Sequence, residues 1–227
     1  MKYMEYLYTA QRHLTTCQRF FDSLNGANST QKENLLKDIY YLSGYIFEAF
    51  VVYKIYKTGY EHVRDVYQDK GEEFNPEDHD IDEFIEEFTR FTNVDYFPRI
   101  VKKDNSVILK RHYTKLNNGK KLSKLQEKFL EGRTGLCAIE QHHFKDLFDI
   151  VQNNKDLRSK MFGTDVPQFF VDVPPGEVEN LITGWESALR YSDSSKWKGV
   201  EDYLDECSLQ GVLNVCHNIN EMIRKSP

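Results

Sequence analysis

The run "YYLSGYIFEAFVVYKIYK", residues 40–57, is the most apolar stretch of the chain, yet it holds Gly44, Glu48 and Lys54. From Ile39 onward, apolar residues fall on every face of a helix, which places this segment at the centre of a bundle. Gly44 and Glu48 stand four residues apart and so share a face. A glycine there lets a neighbouring helix approach closely. A buried carboxylate needs a partner, for which Arg12, Arg19 and a tyrosine hydroxyl are candidates. Glu48 therefore has two open roles, organiser of the bundle core or ligand-binding group in a cleft between helices.

Upstream, Leu7, Ala10, Leu14, Cys17, Phe21 and Leu24 alternate steps of three and four. This spacing predicts a helix over 3–24 with one apolar stripe, suited to packing along a second helix. "SLNGANST" supplies the turn, and Thr30 with Glu33 makes a T-x-x-E capping pattern. The second helix is expected over about 31–57, ending before Gly59. Helical periodicity returns over 137–154, over 176–192 and over 198–224. The last segment aligns Val200, Leu204, Cys207, Gly211, Val215, Ile219 and Met222 on one face. The expected class is all-α.

The middle of the chain differs. Nine carboxylates and no Lys or Arg lie between Glu72 and Glu87, whereas 99–128 is basic. Pro98, Asn117, Asn118 and Gly119 read as loop, with short strand at most, for instance at 106–109. We expect 1–227 to form a single helical domain with 60–135 as an irregular, charged insertion. Lys102, Lys103, Lys110, Arg111 and Lys115, with Tyr96, Phe97 and Tyr113 beside them, are the candidate contacts for nucleic acid. Compensation between the acidic and basic runs is the competing reading.

The chain has 227 residues, 40% of them hydrophobic and 29% charged, with 14 Tyr and 15 Phe, which is enough to bury a sizeable core. A formal charge of -6 gives no overall pull toward nucleic acid. The four cysteines form no C-x-x-C pair, which argues against a zinc site and fits a reduced, cytoplasmic setting. No window of about 20 residues is free of charge, so no membrane span is expected.

The segment "YYLSGYIFEAF" resembles the second helix of HEPN domains, helical bundles named for a nucleotide-binding role. That helix commonly reads Y-Y-L-x-G-Y-x-x-E, matched here by Tyr40, Tyr41, Leu42, Gly44, Tyr45 and Glu48. "WESALRYS" (185–192) is similar to the family's aromatic-plus-R-Y segment, and "HHFKDLFDIVQN" to a helix that begins with His. The likeness covers roughly 1–57 and 137–224, and it implies a HEPN-like up-down helical bundle. Family members often place a lysine four residues after the glutamate, whereas Val52 stands there and the lysine is Lys54. The ribonuclease branch uses R-x4-6-H, and no histidine of this chain has an arginine at that spacing.

The resemblance thus implies a non-catalytic binding or regulatory module, a homodimer, partnered with a nucleotidyltransferase or binding nucleotide or nucleic acid. No cofactor is implied. Glu48, Arg190 and Tyr191 are the expected ligand-binding residues, since a guanidinium beside a phenol suits phosphate or carboxylate. The enzymatic alternative is a divergent ribonuclease using Arg133, His142 and His143, and a structural adaptor is a third reading. Glu140, His143 and Asp146 could share one helix edge, but a di-iron site needs a second E-x-x-H, which is missing. No metal site and no catalytic residue is therefore assigned. A Walker loop, a G-x-S-x-G elbow and a G-x-G-x-x-G are absent.

Overall fold

The computed structural model describes residues 3–79, 81–97, 137–140, 154–163, 176–185, 189 and 197–225. These residues are nearly all helical. The chain divides into two compact units, one made of 1–58 with 142–227, the other of 59–141.

In the first unit, α1 (Met4–Asp22) buries Leu7, Ala10, Leu14 and Cys17, the expected stripe, while Phe21 is half-buried. A 3-10 turn (Ser23–Gly26) leads into α2 (Ser29–Asp69). The capping box is made two residues earlier than expected. Gln31 N donates to Asn28 Oδ1 at 3.0 Å, and Asn28 N donates to Gln31 Oε1 at 3.1 Å. Glu33 instead takes a hydrogen bond from Lys37 at 2.8 Å, which holds its carboxyl below the usual range.

The α1–α2 pair is antiparallel. Tyr3 meets Tyr53 with ring centroids 6.0 Å apart, and Cys17 Sγ reaches the Ile39 carbonyl at 3.9 Å, so positions rise on one helix as they fall on the other. The last helix, α6 (Glu206–Lys225), runs parallel to α2. Lys32 pairs with Glu206, and Cys216 Sγ reaches the Ser43 carbonyl at 3.8 Å. Gln11 Nε2 then donates to Asn220 Oδ1 at 3.1 Å, which joins α1 to α6 at the same level. Along α2, Ile39, Ile46, Phe47, Phe50 and Ile55 are each less than 2% exposed. Each such side chain contributes roughly 2–3 kcal/mol of transfer free energy.

Helix α6 starts later than expected. A 3-10 turn (Glu201–Tyr203) precedes it, and Asp205 Oδ1 caps it by accepting from Ser208 N at 2.8 Å. The buried face is Leu209, Val212, Val215, Cys216, Ile219 and Ile223 with their neighbours, whereas Cys207 is exposed. Of the expected stripe Val200, Val215 and Ile219 are buried, whereas Leu204, Gly211 and Met222 are half-buried and Cys207 is exposed, because the stripe was drawn through residues before α6 begins. The described residues of this unit also include two short helices, α4 (Lys155–Phe162) and α5 (Gly176–Gly184). Asn154 caps α4, and Gly163, at φ 101°, ends it.

The second unit begins inside α2, which does not stop before Gly59 but continues to Asp69. A Schellman motif ends it. Gly71, at φ 71°, donates to the Gln68 carbonyl, and Glu72 N donates to the Tyr67 carbonyl. Gly59 is helical because α3 (Ile81–Thr92) crosses there, and a Cβ on residue 59 would stand 1.9 Å from the Phe84 carbonyl oxygen. Tyr60 packs edge-on against Phe74 and Phe84 in the same contact. Asn93, at φ 58°, closes α3 by donating its N–H to the Thr89 carbonyl.

Strand β1 (Val94–Phe97) follows and pairs in parallel with β2 (Cys137–Glu140), Val94 opposite Cys137 and Phe97 opposite Glu140. This corrects the expectation that 137–154 is helical from its first residue. Backbone pairing with a segment forty residues away overrides the local period, and Glu140 is not on a helix edge. The short strand expected at 106–109 lies outside the described residues.

Substituting Gly59 tests the α2–α3 crossing. Gly59→Ala should lower stability by about 1–3 kcal/mol, because the obstruction is backbone. Gly26→Ala, with nothing within 4 Å of the added carbon, should change it by a few tenths at most. Urea unfolding of the two variants beside the parent chain measures the difference.

Candidate functional site

The motif helix presents its residues in two directions. Tyr40 is 1% exposed and donates its hydroxyl to the Leu181 carbonyl at 2.7 Å. Its ring also meets Trp197 edge-on at 6.0 Å. Gly44 is covered by the Trp185 indole, so closely that a Cβ there would lie 2.0 Å from a ring carbon. The close neighbour that Gly44 admits is thus an aromatic side chain just after α5, where a second helix backbone was expected. Trp185 Nε1 donates to the Tyr41 carbonyl at 3.0 Å, which fixes the indole across one turn of α2.

Tyr41 and Tyr45 lie on the other side of this contact. Both are half-buried, their rings meet edge-on at 5.1 Å, and their hydroxyls are 2.8 Å apart. Tyr45 stands perpendicular to Trp185 at 5.2 Å, and Tyr41 lies nearly parallel to it at 6.5 Å. The result is a ledge made by the half-buried Tyr41 and Tyr45 rings and backed by the Trp185 indole, which is itself only 4% exposed. It suits a planar ligand that carries hydrogen-bonding groups.

Glu48, one turn beyond Gly44, is 6% exposed. Arg12 and Arg19 stand on the outer, exposed side of α1 and are not its partners. Arg190 and Tyr191 lie outside the described residues, as do Arg133, His142 and His143, and Lys102, Lys103, Lys110, Arg111 and Lys115. The structure therefore brings together the motif residues of α2 with Trp185.

Two further buried cations belong to the same unit. Lys54 is 2% exposed, with its Nζ 5.4 Å from the Phe162 ring centroid, and Arg158, one turn before Phe162 on α4, is 5% exposed. Burial pulls the Arg158 pKa below the usual guanidinium range. Lys54 stood out in the sequence as a charge inside an apolar run. Arg158 carried no such signal, because "KDLRSKMF" reads as a surface segment.

Among the described residues, the two core thiols are Cys17 and Cys216. Burial pushes the Cys17 pKa up to about 12 and that of Cys216 higher still, with the neighbouring Cys17 adding to the effect. Both thiols stay protonated at neutral pH and so are poor nucleophiles. Among the described residues, no group of His, Cys, Asp and Glu could hold a metal ion. No described helix is long and apolar enough to cross a membrane. An open groove of about 520 Å³ at the α1–α2 turn is lined by Ser23, Ala27, Gln31, Asn34, Leu35 and Asp38. It brings together no titratable pair.

Comparison with family models, with curated proteins and with solved structures returns no match for this chain.

Gly44→Ala should unseat Trp185, lower stability by about 1–3 kcal/mol and shift tryptophan emission to the red. An unchanged emission maximum would refute the close seating. In a Cys137→Ser background, maleimide should label Cys207 in the native protein, and Cys17 and Cys216 only after unfolding. The raised thiol pKa values also have a sign. In the unfolded chain both thiols ionise near 9, while in the folded chain they do not. Their contribution to stability is complete below pH 9 and is lost as pH rises from 9 toward 12, and urea unfolding along that range measures the loss.

Proposed function

We propose that this chain is a HEPN-like binding module, without ribonuclease chemistry, that takes a nucleotide or the end of a nucleic acid on the half-buried Tyr41–Tyr45 ledge, which the buried Trp185 backs. One observation carries the reading, namely that the motif separates into docking and presenting residues. Tyr40 and Gly44 seat α2 against α5 and Trp185, while Tyr41 and Tyr45 keep half-buried rings and bonded hydroxyls beside them. A nucleobase offers a flat face for such rings, and its polar edge can accept from or donate to a phenol. Service to a nucleotidyltransferase, which the HEPN likeness implies, fits a module that holds a nucleotide without transforming it. The absent R-x4-6-H pair supports the non-catalytic form.

Trp185 and Trp197 are the only tryptophans and both pack on this part of α2, so intrinsic fluorescence reports on the ledge. Titration with nucleoside mono- and triphosphates and with short oligoribonucleotides should quench emission saturably. Tyr41→Ala should weaken binding by about tenfold, in line with the loss of one base–aromatic stack. Tyr45→Phe should weaken it less, because only a hydroxyl is lost. The oligoribonucleotide should remain intact throughout. Saturable binding that is indifferent to both substitutions would remove the ledge as the site. Cleavage abolished by His142→Ala or His143→Ala would replace this reading with the ribonuclease one.

A further inference from the structure

Asn34, Asp38, Tyr41 and Tyr45 follow one another on α2 at steps of four, three and four. At about 100° per residue they fall within an arc of about 60° and so form one strip along the helix. Its C-terminal half is the Tyr41–Tyr45 ledge. Its N-terminal half runs into the open groove at the α1–α2 turn, which Asn34 and Asp38 line together with Gln31 and Leu35. At about 1.5 Å of rise per residue, Asp38 stands about 4.5 Å before Tyr41, and Asn34 about 6 Å before Asp38. All of these residues belong to the first unit.

The two halves differ in chemistry. Asn34 and Asp38 are exposed, and neither side chain forms a hydrogen bond or an ion pair among the described residues. No cation lines the groove. Lys32 and Lys37, on the same part of α2, are engaged elsewhere, Lys32 with Glu206 and Lys37 with Glu33 and Glu201. The strip thus offers two rings, then a carboxylate, then an amide. A phosphate laid beside Asp38 would be repelled, with no cation among the groove residues to offset the repulsion. Hydroxyls suit the same place, because a carboxylate accepts hydrogen bonds and these are stronger than neutral ones. A nucleoside whose base lies on the ledge carries its sugar one bond away. Turned toward Asp38, a ribose presents vicinal 2′ and 3′ hydroxyls, two donors for one carboxylate. Dinucleotide-binding folds hold the ribose 2′ hydroxyl by the same kind of contact.

We propose that the ligand of this strip is a ribonucleoside with a free 2′,3′-diol, its base against Tyr41 and Tyr45 and its diol on Asp38. This contact presupposes the nucleotide reading of the ledge and narrows it. The free diol of an RNA 3′ terminus, or of a free nucleoside, satisfies the carboxylate. A 2′-deoxy end offers one donor in place of two. A 3′-phosphate sets like charge against Asp38. Phosphates on the 5′ side fit only where they point away from the groove, so a 5′-triphosphate gains nothing over the bare nucleoside.

Tryptophan quenching by short oligoribonucleotides of one sequence and three different 3′ ends tests the contact, with the matching free nucleoside as a fourth ligand. The end with a free diol should bind tightest. A 2′,3′-dideoxy end and a 3′-phosphate end should each bind about tenfold more weakly, in line with the loss of hydrogen bonds to a charged group. Asp38→Asn should bring the diol and 3′-phosphate ends within about threefold of each other, since the charge that separates them is gone. Asp38 is exposed, so circular dichroism should show unchanged helix content in this variant. A nucleoside that binds as tightly as the diol-ended oligoribonucleotide supports the contact with a small molecule as its source. Tighter binding of the oligoribonucleotide supports it with an RNA 3′ terminus. Quenching that Tyr41→Ala weakens but that is equal for all three ends would overturn the diol contact and leave the ledge standing. So would a diol preference that Asp38→Asn does not reduce. Quenching by none of the four ligands would overturn both.

Discussion

Trp185 rests on α2 only because residue 44 has no side chain. A single carbon added there would stand 2.0 Å from the indole, well inside contact distance, so the packing of the first unit depends on that vacancy. The indole N–H is satisfied by the Tyr41 carbonyl, and the Tyr40 hydroxyl by the Leu181 carbonyl, so α5 and the residue after it are held to α2 by paired polar groups as well as by rings. Two more close approaches follow the same logic. A Cβ on Gly184 would stand 2.5 Å from a Val200 methyl, and one on Gly211 would stand 2.6 Å from a Val178 methyl. Small residues at these crossings let α5 sit close to both α6 and the segment before it.

Much of the first unit was legible in the sequence because its signals are local. The stripe of α1 follows a step of three and four, and the all-round apolar character of α2 marks a central helix. What misled was punctuation. Gly59 reads as a helix stop, yet it is a crossing point whose partner, the Phe84 backbone, lies 25 residues away in sequence. Thr30 and Glu33 fit a capping pattern, yet Asn28 and Gln31 make the same pair of bonds, and both patterns occur within six residues. Cys207 fits a stripe drawn back to Val200, but the chain becomes helical only at Glu206, so the phase carried across that boundary was meaningless. The strand at 137–140 gave no local sign, because its partner strand lies at 94–97.

The site divides in the same way. The residues of 40–48 announce a close neighbour at Gly44 and a buried carboxylate; the carboxylate is buried, and the neighbour is the Trp185 indole in place of a helix. Which residue fills the space over Gly44 could not be read, since nothing in "WESALRYS" says that its tryptophan faces the motif. The pairing of the Tyr41 and Tyr45 hydroxyls is a consequence of spacing four on a helix, and could have been drawn from the sequence alone. Burial of Arg158 could not, because a charged residue in a polar octapeptide is buried only by what folds over it.

A helix that is apolar on all sides poses a problem of its own, which is rotation about its axis. Between Ile39 and Tyr56 the hydrophobic pattern of α2 fits almost any orientation about equally well, since each face would be buried. Its exceptions remove that freedom. Gly44 must face Trp185, and Tyr41 must keep its carbonyl under the indole N–H. Lys54 must lie over Phe162. The carbonyls of Ile39 and Ser43 receive the Cys17 and Cys216 thiols, from α1 and α6 respectively. Turning α2 by one residue, about 100°, would break all of these at once and drive the indole into a side chain. The glycine and the polar atoms inside this apolar run thus set the angle at which the Tyr41–Tyr45 pair emerges, and uniform hydrophobicity alone would leave that angle undetermined.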